Sequence, residues 1–393
     1  MEKVRLSELC KMQSGGTPSR SNSQFWDNGN IPWAKISDLE TSDDGFIYDT
    51  EEVITEEGLR SINNRFFKKD TLLLAMYGSV GKTAITKIDL TTNQAILGIN
   101  VVDESRLFLK FLKYWFSTIK EQLLKRAVGV ALQNISLGIV KDLEIPLPTL
   151  PIQKAIAAKL DKAQEIISYN KQLLEKYDQL TQSLFIDMFG DPVRNEKGWE
   201  KDVMKNVSLK IGSGATPRGG RESYQLEGIA LIRSMNIYDN KFYYKDLAFI
   251  TDKQAEKLKN VVVKENDVLF NITGASVCRS TVVPKNILPA RVNQHVSILR
   301  PRPEILHYKF LSQLLISKIV KNQLLKIGAG GGAVMEAITK EQLEKFQIIL
   351  PPISLQNQFA ERIEKIEAQK QMAQESLAKS EALFQSLLQE SFK

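Results

Sequence analysis

The chain is written twice, and that repetition limits its possible folds more than any other feature. Ser14-Gly15-Gly16-Thr17-Pro18 returns as Ser213-Gly214-Ala215-Thr216-Pro217, 199 residues later. Leu180-Thr181-Gln182-Ser183-Leu184 returns as Leu383-Phe384-Gln385-Ser386-Leu387, 203 residues later. Between these anchors Asp70 matches Asp267, Asn93-Gln94 matches Asn293-Gln294, and Ile145-Pro146-Leu147-Pro148 matches Ile348-Ile349-Leu350-Pro351. A period this long is no solenoid or propeller unit, so each copy is a whole domain with something attached. Two like halves suit a target that itself has two like halves.

Each half divides in the same way. A mixed stretch comes first, with β-like runs such as Thr71-Leu72-Leu73-Leu74-Ala75-Met76 and Val261-Val262-Val263. Helical runs, Phe108–Leu124 and Tyr308–Leu325, lie towards its end, and a proline-punctuated strand closes it. A long segment with neither glycine nor proline follows, from Ile152 to Phe189 and again from Ile353 to Lys393. The expected domains are heads at 1–150 and 190–350, and long helices at 151–189 and 351–393.

The first long segment carries a seam at Ile156, Leu160, Ala163, Ile167, Asn170, Leu174, Tyr177, Thr181, Leu184 and Met188. Its alternating steps of four and three are the coiled-coil signature. The second copy runs Phe359, Ile363, Ile366, Lys370, Ala373, Leu377, Ser380, Phe384, Leu387 and Ser391 on the same register. Asn170 either fixes register or is a tolerated mismatch. A helix over Ile152–Phe189 is about 57 Å long, whereas the connector Gly190–Lys197 reaches at most about 28 Å. The second head is therefore expected at the far end, with the second helix returning antiparallel. The fold class expected is α/β: two mixed α/β heads separated by two long antiparallel coiled-coil helices, a pseudo-twofold internal repeat.

Charge narrows the partner. Residues 190–350 hold 25 Lys+Arg against 16 Asp+Glu, while residues 1–150 hold 18 against 19. The second head carries essentially all of the net +7, an electrostatic footprint for a polyanion. The acidic run from Asp43-Asp44 to Glu51-Glu52 reads as a solvated loop facing away from any ligand. Two cysteines, Cys10 and Cys278, without ligand-like spacing suggest a reducing, cytoplasmic setting. No apolar run of about 18 residues and no leader pattern is present, so no membrane association is expected. Two histidines, His295 and His307, are too few for a histidine metal site or a hydrolytic triad.

Gly78-Ser79-Val80-Gly81-Lys82-Thr83 follows an apolar run and imitates a P-loop, but Met76 stands where the first glycine belongs. The second copy, Gly274-Ala275-Ser276-Val277-Cys278-Arg279-Ser280, has neither the lysine nor the second glycine. The copies share a small-residue loop, a cation (Lys82 or Arg279) and a hydroxyl (Thr83 or Ser280). That set suits a phosphate or base-edge contact, with a purely structural turn as the alternative. Lys35 aligns with Arg233 as a cation after a strand. Asn93-Gln94 and Asn293-Gln294 are amide pairs of the kind that read adenine, and equally of the kind that cap turns. Arg20, Arg218 and Arg221 follow the Thr-Pro turns and are placed to grip phosphate. Arg291 either contacts the backbone of a nucleic acid or balances nearby charge. Thr17 and Thr216 of the turns, with Tyr77, Ser79 and Thr273 of the loops, complete the candidate set.

The order head, helix, head, helix resembles the specificity subunits of type I restriction-modification systems. The motifs that carry the likeness are Ser14-Gly15-Gly16-Thr17-Pro18, Ile31-Pro32-Trp33, Tyr77–Lys82 and Ser183–Pro192, and the resemblance covers the whole chain. It implies that each head is a target recognition domain reading one half of a split double-stranded DNA site. The helices would be the spacer and the docking surface for two methyltransferase subunits, and through them for restriction/translocase subunits. S-adenosylmethionine would then sit on the methyltransferase and no cofactor on this chain. The second head departs from the pattern at Ile229-Ala230-Leu231, which lacks the Pro-Trp pair. No amino-methyltransferase motif, Gly-rich S-adenosylmethionine loop or paired-carboxylate nuclease signature is visible, so no catalysis is expected. The competing class is a coiled-coil scaffold whose basic head binds RNA or protein.

Overall fold

The computed structural model describes residues 2–42, 44–126, 134–329 and 337–392. The chain forms two compact units, Met1–Leu173 with Met372–Lys393, and Leu174–Gln371. Each unit therefore holds one head together with a stretch of both long helices.

In the first unit a five-stranded sheet runs in the order Cys10–Ser14, Ile96–Val101, Leu72–Ala75, Thr83–Thr86, Phe46–Ile47. In the second unit Ser208–Ser213, Val296–Pro301, Val268–Asn271 and Ser280–Val282 repeat the first four places. The strands Leu72–Ala75 and Val268–Asn271 are buried at all four residues, which is why their apolar runs do not alternate. A second sheet is also repeated, three-stranded in the first head and four-stranded in the second. Its parallel pair is Ile31–Ala34 with Thr91–Thr92 in one head and Ile229–Ile232 with Ala290–Val292 in the other. The start and end of each head then join antiparallel, Lys3–Arg5 with Glu144–Pro146 and Glu200–Val203 with Gln347–Leu350.

Backbone hydrogen bonds fix the match between the copies. Val283 N–H donates to the Asp267 carbonyl and Thr86 N–H to the Thr71 carbonyl, each at 3.0 Å. The partner of Asp267 is thus Thr71, and the sequence match to Asp70 is one residue out. Asp70 sits in the turn before the strand with φ +61° and pairs with Lys87 at 2.9 Å. Asp267 instead lies in the interior and holds Arg300 in a fork at 2.7 and 2.8 Å.

The helical runs in the heads are each broken in two. Leu109–Thr118 is followed by Lys120–Arg126, and Tyr308–Ile316 by Lys318–Ala329. At both breaks a hydroxyl bonds the carbonyl three residues back, Thr118 to Trp115 and Ser317 to Leu314, each at 2.7 Å. Such local bonds compete with helix continuation.

The long helices span Leu150–Phe189 and Ile353–Ser391, 40 and 39 residues. The first begins ahead of Pro151, because proline is tolerated in the first helical turn, where its missing N–H has no partner to lose. Every residue of both heptad seams is buried or half-buried. In the first unit Ala157 and Leu160 pack with Leu388, and Phe111 lies 4.9 Å from Phe392. In the second, Phe359 lies 5.7 Å from Phe185 and 5.2 Å from Phe189, and Lys370 pairs with Asp178. The start of one helix meets the end of the other each time, so the pairing is antiparallel. Asn170 turns its amide back to the Ile166 carbonyl at 3.0 Å, which satisfies its donor within its own helix. Among the described residues no helix is long and apolar enough to cross a membrane.

Candidate nucleic-acid interface

In both heads the Thr-Pro turn meets the Asn-Gln turn. Gly15 and Gly214 lie against the carbonyls of Thr92 and Val292 so closely that a Cβ at either would collide with the oxygen. Gly16 N–H then bonds Thr92 O at 2.8 Å, and Gly214 N–H bonds Asn293 O at 3.1 Å. This brings Thr17 to Gln94 and Thr216 to Gln294, where each hydroxyl donates to the glutamine Oε1. Both glutamines are exposed. The asparagines do something else: Asn93 Oδ1 accepts from Ala95 N–H at 3.1 Å and Asn293 Oδ1 from His295 N–H at 3.0 Å. Of each amide pair, one residue caps the turn and the other faces outward.

Lys35 and Arg233 occupy the same place, directly after the strands Ile31–Ala34 and Ile229–Ile232. The backbone N–H of Lys35 donates to Asp38 at 2.7 Å and that of Arg233 to Asn236 at 3.0 Å. The Arg20 guanidinium lies 3.8 Å from the Trp26 ring centroid and 4.8 Å from that of Trp33. Trp33 is itself fixed by an Nε1–H bond to Gly16 O at 3.0 Å. Glu52 holds Arg20 at 2.5 Å and Lys35 at 2.8 Å, and Glu51 holds Lys35 at 2.8 Å.

The acidic run does not face away. Glu52 opens a strand paired with Trp33, and that register brings its carboxylate to the cations. The Arg20 hydrogen bond holds the Glu52 carboxyl below the usual glutamate range, and the two glutamates raise the Lys35 ammonium above the usual lysine range. Asp43 lies outside the described residues.

Lys82 and Arg279 are equivalent: their carbonyls accept from Ala75 N–H and Asn271 N–H, each at 2.9 Å. Gly78 and Gly81 take φ of +64° and +83°, and Cys278, at +67°, stands where Gly81 does. The loop turns straight into a strand, Thr83–Thr86. A P-loop needs a helix N-terminus there, so no phosphate cradle forms. The hydroxyl residues Thr83 and Ser280 are buried in their strands, away from the loop tip. Tyr77 is exposed, and the Ser79 hydroxyl donates to Glu40. Lys82 lines a cavity of about 240 Å³ with Lys113 and Lys120, where burial lowers the Lys113 ammonium to about 8.

Arg279 lies 4.4 Å over Tyr238, Arg233 lies 5.4 Å from Tyr224, and Arg218 and Arg221 are exposed. Arg291 is not at this surface. It occupies the place of Thr91 in the buried parallel pair and donates to the carbonyls of Ala255 at 3.2 Å and Ala290 at 3.0 Å. Thr273 Oγ1 lies 2.6 Å from His295 Nδ1.

Sequence reasoning passed over the hairpin Ile237–Tyr238 with Lys241–Phe242. It exposes Tyr238 and Tyr243, ring centroids 5.3 Å apart, beside Arg279. The interleaved Tyr243-Tyr244-Lys245 was the available signal.

Two α/β heads with repeated polar turns and flanking cations, joined through a helical pair, define a duplicated recognition protein. The family model "Type I restriction modification DNA specificity domain" matches residues 1–178 and 196–380. The chain belongs to that family, and it is a DNA specificity subunit of a type I restriction-modification system, the non-catalytic component. In this family S-adenosylmethionine belongs to the methyltransferase subunit.

The chain is 24% identical over 375 residues to the type I restriction enzyme MjaIX specificity subunit of Methanocaldococcus jannaschii, covering 90% of this chain and 84% of the relative. It is 23% identical over 357 residues to the EcoBI specificity subunit of Escherichia coli, covering 82% and 73%. Its fold is similar to that of a type I S subunit from M. genitalium, with TM-score 0.60 and 14% identity over 100% of this chain and 96% of that one. It also resembles a chain solved in a study of type I R-M complex assembly and conformational transition, with TM-score 0.61 and 19% identity over 100% and 97%.

Proposed function

We propose that each head reads one half of a split duplex site, residues 1–150 one half and residues 190–350 the other. The exposed Gln94 and Gln294 meet base edges in the major groove, where a glutamine amide suits adenine N6 and N7. Arg20, Lys35 and Lys82 in the first head, and Arg218, Arg221, Arg233 and Arg279 in the second, neutralise phosphates and set register. Glu51 and Glu52 hold Arg20 and Lys35 in place until a phosphate competes for them. The observation that carries this reading is the Thr17–Gln94 bond and its repeat at Thr216–Gln294, each on an exposed turn near a cation group.

The helices carry a second task, docking of two methyltransferase subunits and, through them, the restriction/translocase subunits. Ile166, Tyr169 and Leu173 support it: they are exposed, spaced by three and four, and lie outside the buried seam. Such a stripe suits a packing partner. Binding-site selection with the reconstituted complex tests the proposal. Two half-sites separated by a gap of fixed length are expected, with log affinity falling linearly with log salt. A single contiguous motif, or no preferred sequence, would contradict it.

A further inference from the structure

The second head contains a hydrogen-bond chain that the first head lacks. The Thr216 hydroxyl donates to Gln294 Oε1. That oxygen accepts, so the other amide atom, Nε2, carries the two hydrogens and donates to His295 Nε2 at 3.1 Å. With Nε2 accepting, His295 carries its hydrogen on Nδ1 and donates it to Thr273 Oγ1 at 2.6 Å. Among the described residues nothing accepts the Thr273 hydroxyl hydrogen, which is left to be given to an acceptor outside this hydrogen-bond chain. Each bond dictates the direction of the next. In the first head the residue equivalent to His295 is Ala95, since Met76 N–H bonds the Ala95 carbonyl as Ile272 N–H bonds that of His295. The Thr17–Gln94 bond forms there without any imidazole.

We propose that His295 is a positioning residue for the second half-site, fixing Gln294 and Thr273 as one oriented pair of polar groups that selects a base with a hydrogen-bond acceptor facing Thr273. This rests on the reading of the second head as a half-site reader. A free glutamine amide presents either its donor or its acceptor to a base edge. Gln294, held at both ends, presents one fixed order. The half-site read by the second head is therefore more strictly specified next to Gln294 than its counterpart is next to Gln94.

The test is binding-site selection with the reconstituted complex carrying His295→Ala or Thr273→Val. His295→Ala restores the alanine that the first head already tolerates, and Thr273→Val keeps the side-chain shape while removing the hydroxyl. Both variants are expected to relax discrimination about tenfold at one shared position of the second half-site and to leave the first half-site unchanged. Weaker binding that is uniform across all sequences, or relaxation at different positions in the two variants, would overturn the inference. So would an unaltered second half-site in both variants, when the wild-type complex does select a split site. A wild-type complex that selects no split site would instead remove the reading on which the inference rests.

Discussion

Gln153 accepts a hydrogen bond from the Phe108 backbone N–H at 2.8 Å, tying the start of the first long helix to the start of the head's own helix. Its amide hydrogens go to the carbonyls of Arg106 and Pro148, each at 2.8 Å. Gln356 repeats all three bonds, with His307 N–H at 2.9 Å, Ile305 O at 3.0 Å and Pro351 O at 2.7 Å. Both glutamines are 0% exposed. Replacing either with alanine orphans three backbone groups and is expected to cost at least about 2 kcal/mol. Urea unfolding of each variant measures it, and an unchanged midpoint would mean that the clamp does not hold head to helix.

Arg218 and Arg291 should separate a DNA-facing cation from an internal one. Arg218→Glu is expected to weaken duplex binding, to lower the salt slope by about one, and to alter stability by no more than about 0.5 kcal/mol. Arg291→Met should destabilise the protein by about 1–3 kcal/mol, because the Ala255 and Ala290 carbonyls lose their donor, with little change in the salt slope. Titrations at several salt concentrations, paired with unfolding curves, distinguish the two. The reverse pattern would exchange their roles.

Lys113 gives a pH signature. Burial lowers its ammonium from 10.5 to about 8, so between those values the unfolded chain binds the extra proton. The Lys113 contribution to stability therefore rises as pH climbs through that window, opposed above about pH 9 by Cys10, whose thiol is pushed by burial from 9.0 to about 12. Lys113→Met loses this contribution, so its stability should gain less, or fall more, with pH across the window than that of the wild type. Denaturant midpoints measured across the window check it, and equal slopes in the two proteins would contradict it.

The duplication and the helix seams were legible because they are periodic, and every seam residue is buried or half-buried as the spacing of four and three required. Turn chemistry was harder to assign. Asn93 and Gln94 look alike in sequence, yet only the position of the Ala95 N–H makes one a cap and leaves the other exposed. Glu52 looked solvated because its partners, Arg20 and Lys35, lie 32 and 17 residues away and meet it only through strand pairing. Arg291 looked like a surface cation because its burial depends on a parallel pair formed with a distant strand. The glutamine clamp was missed because Gln153 and Gln356, just past the prolines, fall in the first turns of helices rather than in any recognisable motif.

Helix length should set the gap between half-sites. Removing one heptad from each helix, Ile167–Leu173 together with Lys370–Ser376, keeps the antiparallel register and shortens each helix by about 10 Å, or about 3 base pairs. The altered complex should prefer a correspondingly shorter gap with both half-site sequences kept. Retention of the original gap at full affinity, in a folded protein, would mean that another element is the ruler.

The claim that each head reads its own half-site is tested most directly by exchanging residues 1–150 for the equivalent block of a relative and repeating binding-site selection. The exchanged complex is predicted to change one half-site and keep the other. A change in both half-sites, or in neither, would contradict independent reading by the two heads.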